Sequence, residues 1–348
     1  MSGGVDSSVA AAFLKKKGYE VIGITMRFWG DENRCCSPDD VEDARQVARI
    51  IGIPHYVISM HDAFKKEVVD YFISEYIHGR TPNPCAVCNP AIKFGKLLEK
   101  ARELKAEYLA TGHYAVTAYD RNRRRFVLKM GKERGKDQSY FLARLSQEIL
   151  KHALFPVGNF PKHKIRKLAD QFNLPVAAKS ESQEVCFVAN GELARFIEQY
   201  GNGNPKPGNI VNNRGEIIGT HSGIHGYTIG QRKGLGIALG ERAYVTRIDA
   251  PTRTIVVGDR NDLYHKRFIA TQAHWISVPP VRHPRSFRVR IRYMHKPAEA
   301  QIMPLDHNNV EVVFDTPQRA ITPGQLAVFY DNDLVAGSAW ISRVAGSA

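Results

Sequence analysis

The sequence predicts an α/β protein: an N-terminal domain with a doubly wound parallel sheet, followed by two small all-β modules, the last a β-barrel. Three observations carry this. Strand-like and helix-like segments alternate through the first two hundred residues, which argues for a parallel sheet flanked by helices. A glycine–serine loop, Met1-Ser2-Gly3-Gly4-Val5-Asp6-Ser7-Ser8, runs straight into a helical pattern. Near Gly201 the texture changes to short alternating runs separated by turn residues. The expected domains are 1–200, 201–263 and 264–348.

The opening loop organises the rest. Two adjacent glycines let the backbone turn where a side chain would clash, and the hydroxyls of Ser2, Ser7 and Ser8 add donors. Val9, Ala12 and Phe13 then share one face, so the loop opens a helix. Backbone N–H groups at a helix N-terminus beside a glycine loop form a cradle for phosphate. The pattern G-x-x-x-x-G-K-[ST] is not met, because no lysine stands at the required place. The string SGGxDS instead resembles the pyrophosphate loop of enzymes that split ATP into AMP and pyrophosphate and so adenylate a carbonyl oxygen. A glycine–serine turn that merely caps a helix is the plainer alternative, and six matched positions weigh against it. Such a loop normally follows a buried strand near the sheet centre. The first strand is therefore expected to be missing, through a start placed too far downstream or a trimmed chain, with low stability as the consequence.

Residues 20–26 (EVIGITM) read as a short buried strand. Ser37-Pro38-Asp39-Asp40 is a capping box with proline at the first helical position. The helix it starts carries Val41, Ala44, Val47, Ala48 and Ile51 on one face and stops at Gly52 and Pro54. Residues 55–60 form the next strand, and a long helix follows with Phe64, Val68, Phe72 and Ile73 inward. Residues 79–89 (GRTPNPCAVCN) are too rich in proline for regular structure. A helix over 92–104 and a strand over 107–111 come next, and any ligand of such a sheet lies beyond the strands' carboxyl ends. Residues 113–130 predict a basic hairpin around Asp120-Arg121-Asn122-Arg123, followed by helices over 146–152 and 162–173. Past the linker-like 201–208, strands are expected over 209–211, 244–248, 254–257, 288–293, 310–314 and 326–330, folded as small antiparallel barrels. In the fourth of these, period two places Arg288, Arg290 and Arg292 on one face, a row suited to a phosphate backbone. Six basic and no acidic residues between Val281 and Lys296 favour RNA over a merely solvated face.

The 348 residues carry a net charge of +14, from 49 basic and 35 acidic side chains, a surplus that favours a polyanionic partner such as nucleic acid. No window has the apolar length of a membrane span and no signal peptide precedes the loop, so a cytoplasmic protein, expected to be a monomer, is indicated. The five cysteines are Cys35, Cys36, Cys85, Cys88 and Cys186. An odd count in a reducing compartment argues against a structural disulfide framework and for catalytic thiols or metal ligands. Cys85 and Cys88 form a CxxC, and Cys186 lies on another loop. Basic surroundings are expected to lower a thiol pKa. Cys186, carrying a persulfide, could attack an adenylated carbon, with Cys88 resolving the intermediate by thiol–disulfide exchange. Zinc lacks the second half of its site. An iron–sulfur cluster on Cys85, Cys88 and Cys186 is the minority alternative. Cys35 and Cys36 have no partner in view.

SGGVDSS, the strand ending in Met26, GRTPNPCAVCN with IKF, ATGHYA, KDQSYFL, SQEVCF, YTIGQRKGLGI and TPGQ follow one another in order, and together they closely resemble the bacterial tRNA-specific 2-thiouridylases over essentially the whole chain. The resemblance implies an N-terminal domain of the adenine-nucleotide α-hydrolase kind, a small central β domain and a C-terminal tRNA-binding barrel. It implies ATP with Mg2+, adenylation of C2 of the wobble uridine in tRNAs for Lys, Glu and Gln, and sulfur from a cysteine desulfurase or a relay protein. It implies ATP contacts by Ser2, Gly3, Gly4, Val5, Asp6, Ser7, Ser8, Met26 and Gly112. Cys186 matches the persulfide carrier and Cys88 its catalytic partner, with a disulfide between them in turnover. Asn83, Pro84 and Cys85 match the segment touching the target base, and His113, Lys136, Asp137, Gln138, Arg292, Tyr293 and Gln325 match tRNA contacts. Many members have aspartate where Cys85 stands, which leaves the proton route open. Another ATP-pyrophosphatase (an amide ligase or lysidine-type synthetase) would need the loop but not the thiols. A non-catalytic RNA-binding protein would need the barrel but not the loop.

Overall fold

In the computed structural model, residues 29–36, 181–184, 189–190, 202–204, 238–241, 307 and 345–348 lie outside the described residues; Cys35, Cys36 and parts of the expected linker and of the stretch before Cys186 fall there. The chain divides into two compact units: residues 1–68, 85–189 and 333–335, and residues 69–84, 190–332 and 336–348.

The first unit holds the α/β part. Gly4 ends the loop and α1 (Val5–Lys16) begins, its Val5, Val9 and Ala12 packed with Ile165 and Ala169. β1 (Gly23–Arg27) pairs in parallel with β2 (His55–Ser59), Met26 opposite Ile58. Between them, α2 (Pro38–Ile51) starts as its sequence predicts. Ser37 accepts from the Asp40 N–H, Asp40 accepts from the Ser37 N–H, and Gly52 closes the helix at φ 66°. α3 (His61–Phe64) runs through a π-helical turn (Lys65–Val69) into α4 (Asp70–Ile77), whose residues belong to the second unit.

The proline-rich stretch is more regular than expected. α5 (Pro84–Cys88) is a helical turn, with Pro84 where a missing N–H costs nothing. A π-helical segment (Asn89–Lys96) then leads into α6 (Leu97–Glu103). The wider turn accommodates Pro90, and Gly95 passes so near that a β-carbon there would stand 2.7 Å from the Pro90 carbonyl oxygen.

β3 (Leu109–Ala110) pairs in parallel with β6 (Ala153–Leu154), which follows α7 (Gln147–His152); the hairpin β4 (Ala115–Asp120) and β5 (Arg125–Met130) lies between in sequence, and α8 (Lys162–Gln171) comes after. The parallel strands thus form two pairs, and among the described residues no strand joins them. The Met1 amine donates to the Ile24 carbonyl of β1, and the Met1 sulfur lies over Gly23.

The second unit contains α9 (Leu193–Tyr200), not expected from the sequence, with Phe196 set edge-on to Phe72. Its small sheet comprises β7 (Gly208–Val211), β8 (Ile217–His221), β9 (Tyr244–Asp249) and β10 (Thr254–Gly258) in the order β8-β7-β10-β9, over a core of Ile210, Val245, Ile255 and Val257. It is mixed rather than antiparallel. Two hairpins stand side by side, and the long connection 222–243 lets β7 and β10 run parallel. The barrel comprises β11 (Tyr264–Trp275), β12 (Arg285–Arg290), β13 (Ala298–Pro304), β14 (Val310–Arg319), β15 (Leu326–Asp331) and β16 (Leu334–Val344), closed by pairing of β11 with β16. Phe268, Val289, Phe314, Phe329 and Ile341 fill it. Closure removes the exposed edges.

The expected arginine row is corrected here. Arg290 is only 7% exposed, its guanidinium 5.5 Å from the Tyr330 ring on β15, and β12 ends there. Arg292 lies past the strand, donating to the carbonyl of Arg319 at 3.0 Å. The neighbouring strand covers what alternation alone would leave to solvent.

Candidate active site: nucleotide loop and thiols

The loop's shape follows from its glycines. Gly3 has φ 69° and passes so close to α2 that a β-carbon would stand 2.4 Å from the Asp40 carbonyl oxygen. The Ser8 and Ser7 hydroxyls donate to the Gly4 carbonyl at 2.9 and 3.2 Å, and the Ser2 N–H donates to Ser7 Oγ at 3.1 Å. Gly4, the N-cap, supplies no side-chain cap, and the first-turn N–H groups of a helix have no partner within the helix itself, the condition an anion cradle requires. Gly112, just beyond β3, closes the other side: a β-carbon there would lie 2.6 Å from the Ser7 nitrogen. The sequence assigned Gly112 to the nucleotide, and the fold brings it onto the loop. Met26 sits half-buried near the end of β1.

Asp6 is held from two sides. Lys162 Nζ donates to both of its carboxylate oxygens at 2.8 Å, and Tyr114 Oη donates to Oδ1 at 2.7 Å. Neither partner was found from the sequence. Lys162 is 156 residues away, and only its place at the start of a helix marked it.

Cys85 and Cys88 stand one turn apart on α5, on the same side of the helix. Cys85 and Cys186 are half-buried and Cys88 is buried, and among the described residues no disulfide joins the three. Phe187, beside Cys186, packs edge-on against Phe64, which also touches Phe28 just after β1. Burial pushes the Cys85 thiol up to about 11; Lys93 pulls it down in part, and the charge of Cys186 raises it further. The expectation that basic surroundings lower the thiol pKa fails at Cys85, because desolvation outweighs one lysine. Lys93 and burial also hold His113 well below its ordinary value, burial being the larger cause. His113 Nδ1 pairs with Thr111 Oγ1 at 2.8 Å, and its ring lies near Phe94 and Phe155. Cys85, Cys186, Lys93 and His113 therefore share one neighbourhood in the first unit.

Three family descriptions tile the chain: tRNA methyl transferase HUP domain over residues 1–190, tRNA methyl transferase PRC-barrel domain over 194–259 and aminomethyltransferase beta-barrel domain over 265–341. The tRNA-specific 2-thiouridylase MnmA of Acetivibrio thermocellus is 50% identical over 345 residues, 97% of this chain and 96% of that protein. The protein of the same name from Moorella thermoacetica is 47% identical over 352 residues, 99% of each. The chain belongs to the tRNA-specific 2-thiouridylases. A solved U34-tRNA thiolase NcsA from Methanococcus maripaludis with its [4Fe-4S] cluster aligns at TM-score 0.35 and 18% identity, over 58% of this chain and 63% of that one, too slight a likeness to carry an argument. Among the described residues no three His, Cys, Asp or Glu side chains are grouped so that they could hold a metal ion.

The remaining positions expected from the sequence to contact tRNA lie in both units. In the first, Lys136 is half-buried, and Asp137 is 1% exposed with its carboxylate accepting from Gly131 N, Ser139 N and Ser139 Oγ. Asp137 therefore shapes its loop. Gln138 exchanges hydrogen bonds with the Tyr114 backbone, its Oε1 accepting at 2.9 Å and its N–H donating at 2.9 Å. In the second, Asn83 and Pro84 are buried, and Gln325 Nε2 donates to the carbonyls of Thr81 and Pro82 at 3.0 and 2.9 Å. Tyr293 is half-buried beside Arg292. No helix among the described residues is long and apolar enough to cross a membrane.

Proposed function

We propose that this 2-thiouridylase converts the wobble uridine of tRNAs for Lys, Glu and Gln to 2-thiouridine in the cytoplasm, acting as a monomer. The observation that carries the reading is that the phosphate cradle and the thiols Cys85, Cys88 and Cys186 share one compact unit. ATP, as its magnesium salt, lies with its phosphates on residues 2–8 and its adenosine towards Met26 and Gly112. The uridine O2 attacks the α-phosphorus and pyrophosphate leaves. The base reaches the site by leaving the anticodon stack, which an unpaired loop nucleotide does at low cost.

A cysteine desulfurase or relay protein first loads Cys186 with a sulfane sulfur. The terminal sulfur attacks C2, and AMP departs with the former O2. A second thiolate then attacks Cys186 Sγ. The S–S bond breaks with its electrons on the substrate sulfur, leaving 2-thiouridine and a protein disulfide that an external thiol reduces. Cys88 is assigned that attack. Cys85, one turn earlier, is held neutral by burial and is the poorer nucleophile for that step. In the first unit Cys85 is assigned to the target base and His113, Lys136 and Gln138 to the RNA; in the second, Asn83 and Pro84 are assigned to the base and Arg292, Tyr293 and Gln325 to the RNA, with Gln138 and Gln325 each holding the backbone of its own unit.

Reconstitution with ATP, magnesium, a cysteine desulfurase, cysteine and tRNA for Lys tests this, with nucleosides read by mass spectrometry. One AMP and one pyrophosphate per 2-thiouridine are expected, and no thiolation with Cys186→Ser. Sulfur entering the RNA without Cys186 overturns the reading.

A further inference from the structure

The pyrophosphate loop has a charge problem. Residues 2–8 carry one ionisable side chain, the carboxylate of Asp6, and no cation, yet the site is meant to receive a polyanion. An uncompensated carboxylate in a partly desolvated cradle would repel phosphate. The structure shows what offsets it. Lys162, the first residue of α8, reaches the second residue of α1 and places its ammonium 2.8 Å from each Asp6 oxygen. Its side chain is only 10% exposed, so its charge is little screened by solvent.

We infer that Lys162 is the phosphate-binding cation of the pyrophosphate loop, its ammonium exchanging the Asp6 carboxylate for the phosphates of ATP. The inference rests on the reading of residues 2–8 as the ATP site. Three features make the exchange feasible. Asp6 keeps a second partner, Tyr114 Oη at 2.7 Å, so the lysine can leave without stranding the carboxylate. The base of the lysine stays fixed, since its backbone N–H donates to Glu133 Oε2 at 2.6 Å. The Tyr114 ring centroid lies 5.8 Å from Nζ, an aromatic face beside the path of the ammonium. The ammonium also stands at the end of α1 whose N–H groups form the cradle, where an anion gains from both. A lysine absent from the loop's own sequence is thus delivered by a distant helix.

A cycle of Asp6→Asn, Lys162→Met and their double variant tests this, in full-length protein with ATP and tRNA for Lys. Pyrophosphate release gives KM for ATP and for tRNA separately, and mass spectrometry gives persulfide loading of Cys186. The double variant decides, because it removes the buried pair whole and leaves no bare charge to unfold the unit. If Lys162 binds phosphate, adding Lys162→Met to Asp6→Asn still raises KM for ATP about tenfold or more. KM for tRNA and Cys186 loading then stay within about twofold, a pattern that general damage would not give. If the double variant matches Asp6→Asn in KM for ATP, Lys162 serves only its carboxylate and the inference is wrong. Wild-type protein that releases no pyrophosphate sinks the underlying reading instead, a separate outcome.

Discussion

Gly112 faces Ser7 of the opening glycine–serine loop so closely that a β-carbon on it would stand 2.6 Å from the Ser7 nitrogen and 2.7 Å from the Asp6 carbonyl carbon. Both obstacles are backbone of the helix start that forms the cradle, and neither can yield without reshaping it. Gly112→Ala is therefore expected to raise KM for ATP by about tenfold or more, because a shift near 1 Å in a binding loop has effects of that order. KM for tRNA should hold. Pyrophosphate release at varied ATP measures the change, and an unaltered KM for ATP would remove the loop from nucleotide binding.

The loop, the α2 capping box and the core faces of the helices were legible because each is a local pattern. Ser37, Pro38 and Asp40 act within four residues, and Gly52 adopts the left-handed φ its place demands. What could not be read was long-range. Lys162 reaches Asp6 across 156 residues, and no spacing announces it. Arg290 follows the alternation of a solvent face, yet Tyr330 covers it once the barrel closes. The proline stretch misled for a different reason: Pro84 sits at the one helical position that needs no N–H, and a π-turn absorbs Pro90. Among the thiols, the cysteines were visible but their electrostatics were not, since burial at Cys85 depends on the whole neighbourhood.

That burial has a measurable consequence. With its pKa pushed up to about 11, Cys85 is a neutral thiol at working pH. Its thiolate fraction at pH 8 is about one in a thousand, so alkylation by iodoacetamide should be slow and should rise about tenfold per pH unit. Lys93→Met should slow it further, since Lys93 is the group that lowers this pKa. Peptide-resolved mass spectrometry between pH 7 and pH 10 reads both. Fast, pH-independent labelling of Cys85 would show that it is a thiolate already. The same reasoning bears on turnover. Cys85→Ser should leave 2-thiouridine formation within about threefold, whereas Cys186→Ser should abolish it, because a thiol that cannot ionise resolves a persulfide poorly.

Gln325 holds the segment that leads into α5. Its Nε2 donates to the Thr81 and Pro82 carbonyls, and the Thr81 N–H donates to the Pro323 carbonyl at 2.9 Å. Gln325→Ala removes two hydrogen bonds and should cost about 1–3 kcal/mol. Gln325→Glu should cost more despite its similar size, because a carboxylate would face two carbonyl oxygens with no proton to offer. Thermal melts give the order wild type, Ala, Glu. The KM for tRNA should follow that order while KM for ATP does not. Equal melting points for Ala and Glu would mean that the amide protons do not matter.

His295 makes the second unit sensitive to acid. It is 9% exposed, its Nε2 pairs with Gln318 Oε1 at 3.0 Å, and its Nδ1 finds no partner among the described residues. Nε2 therefore carries the proton that Gln318 accepts, and Nδ1 is a bare acceptor. Burial pushes its pKa down to about 4; the bond to Gln318 opposes this, and Arg292 and Arg290 add to it. The unfolded chain takes up the proton near pH 6.5 and the folded one only near pH 4, so the unfolded state binds more protons in that window. Stability therefore falls as pH drops from about 6.5 towards 4, by up to about 3 kcal/mol from this group. Denaturant titrations of wild type and His295→Gln at pH 7.5 and pH 5 isolate the effect from the carboxylates common to both. The wild type should lose more stability than the variant over that interval, and equal losses would show that His295 takes its proton in the folded barrel as readily as in the open chain.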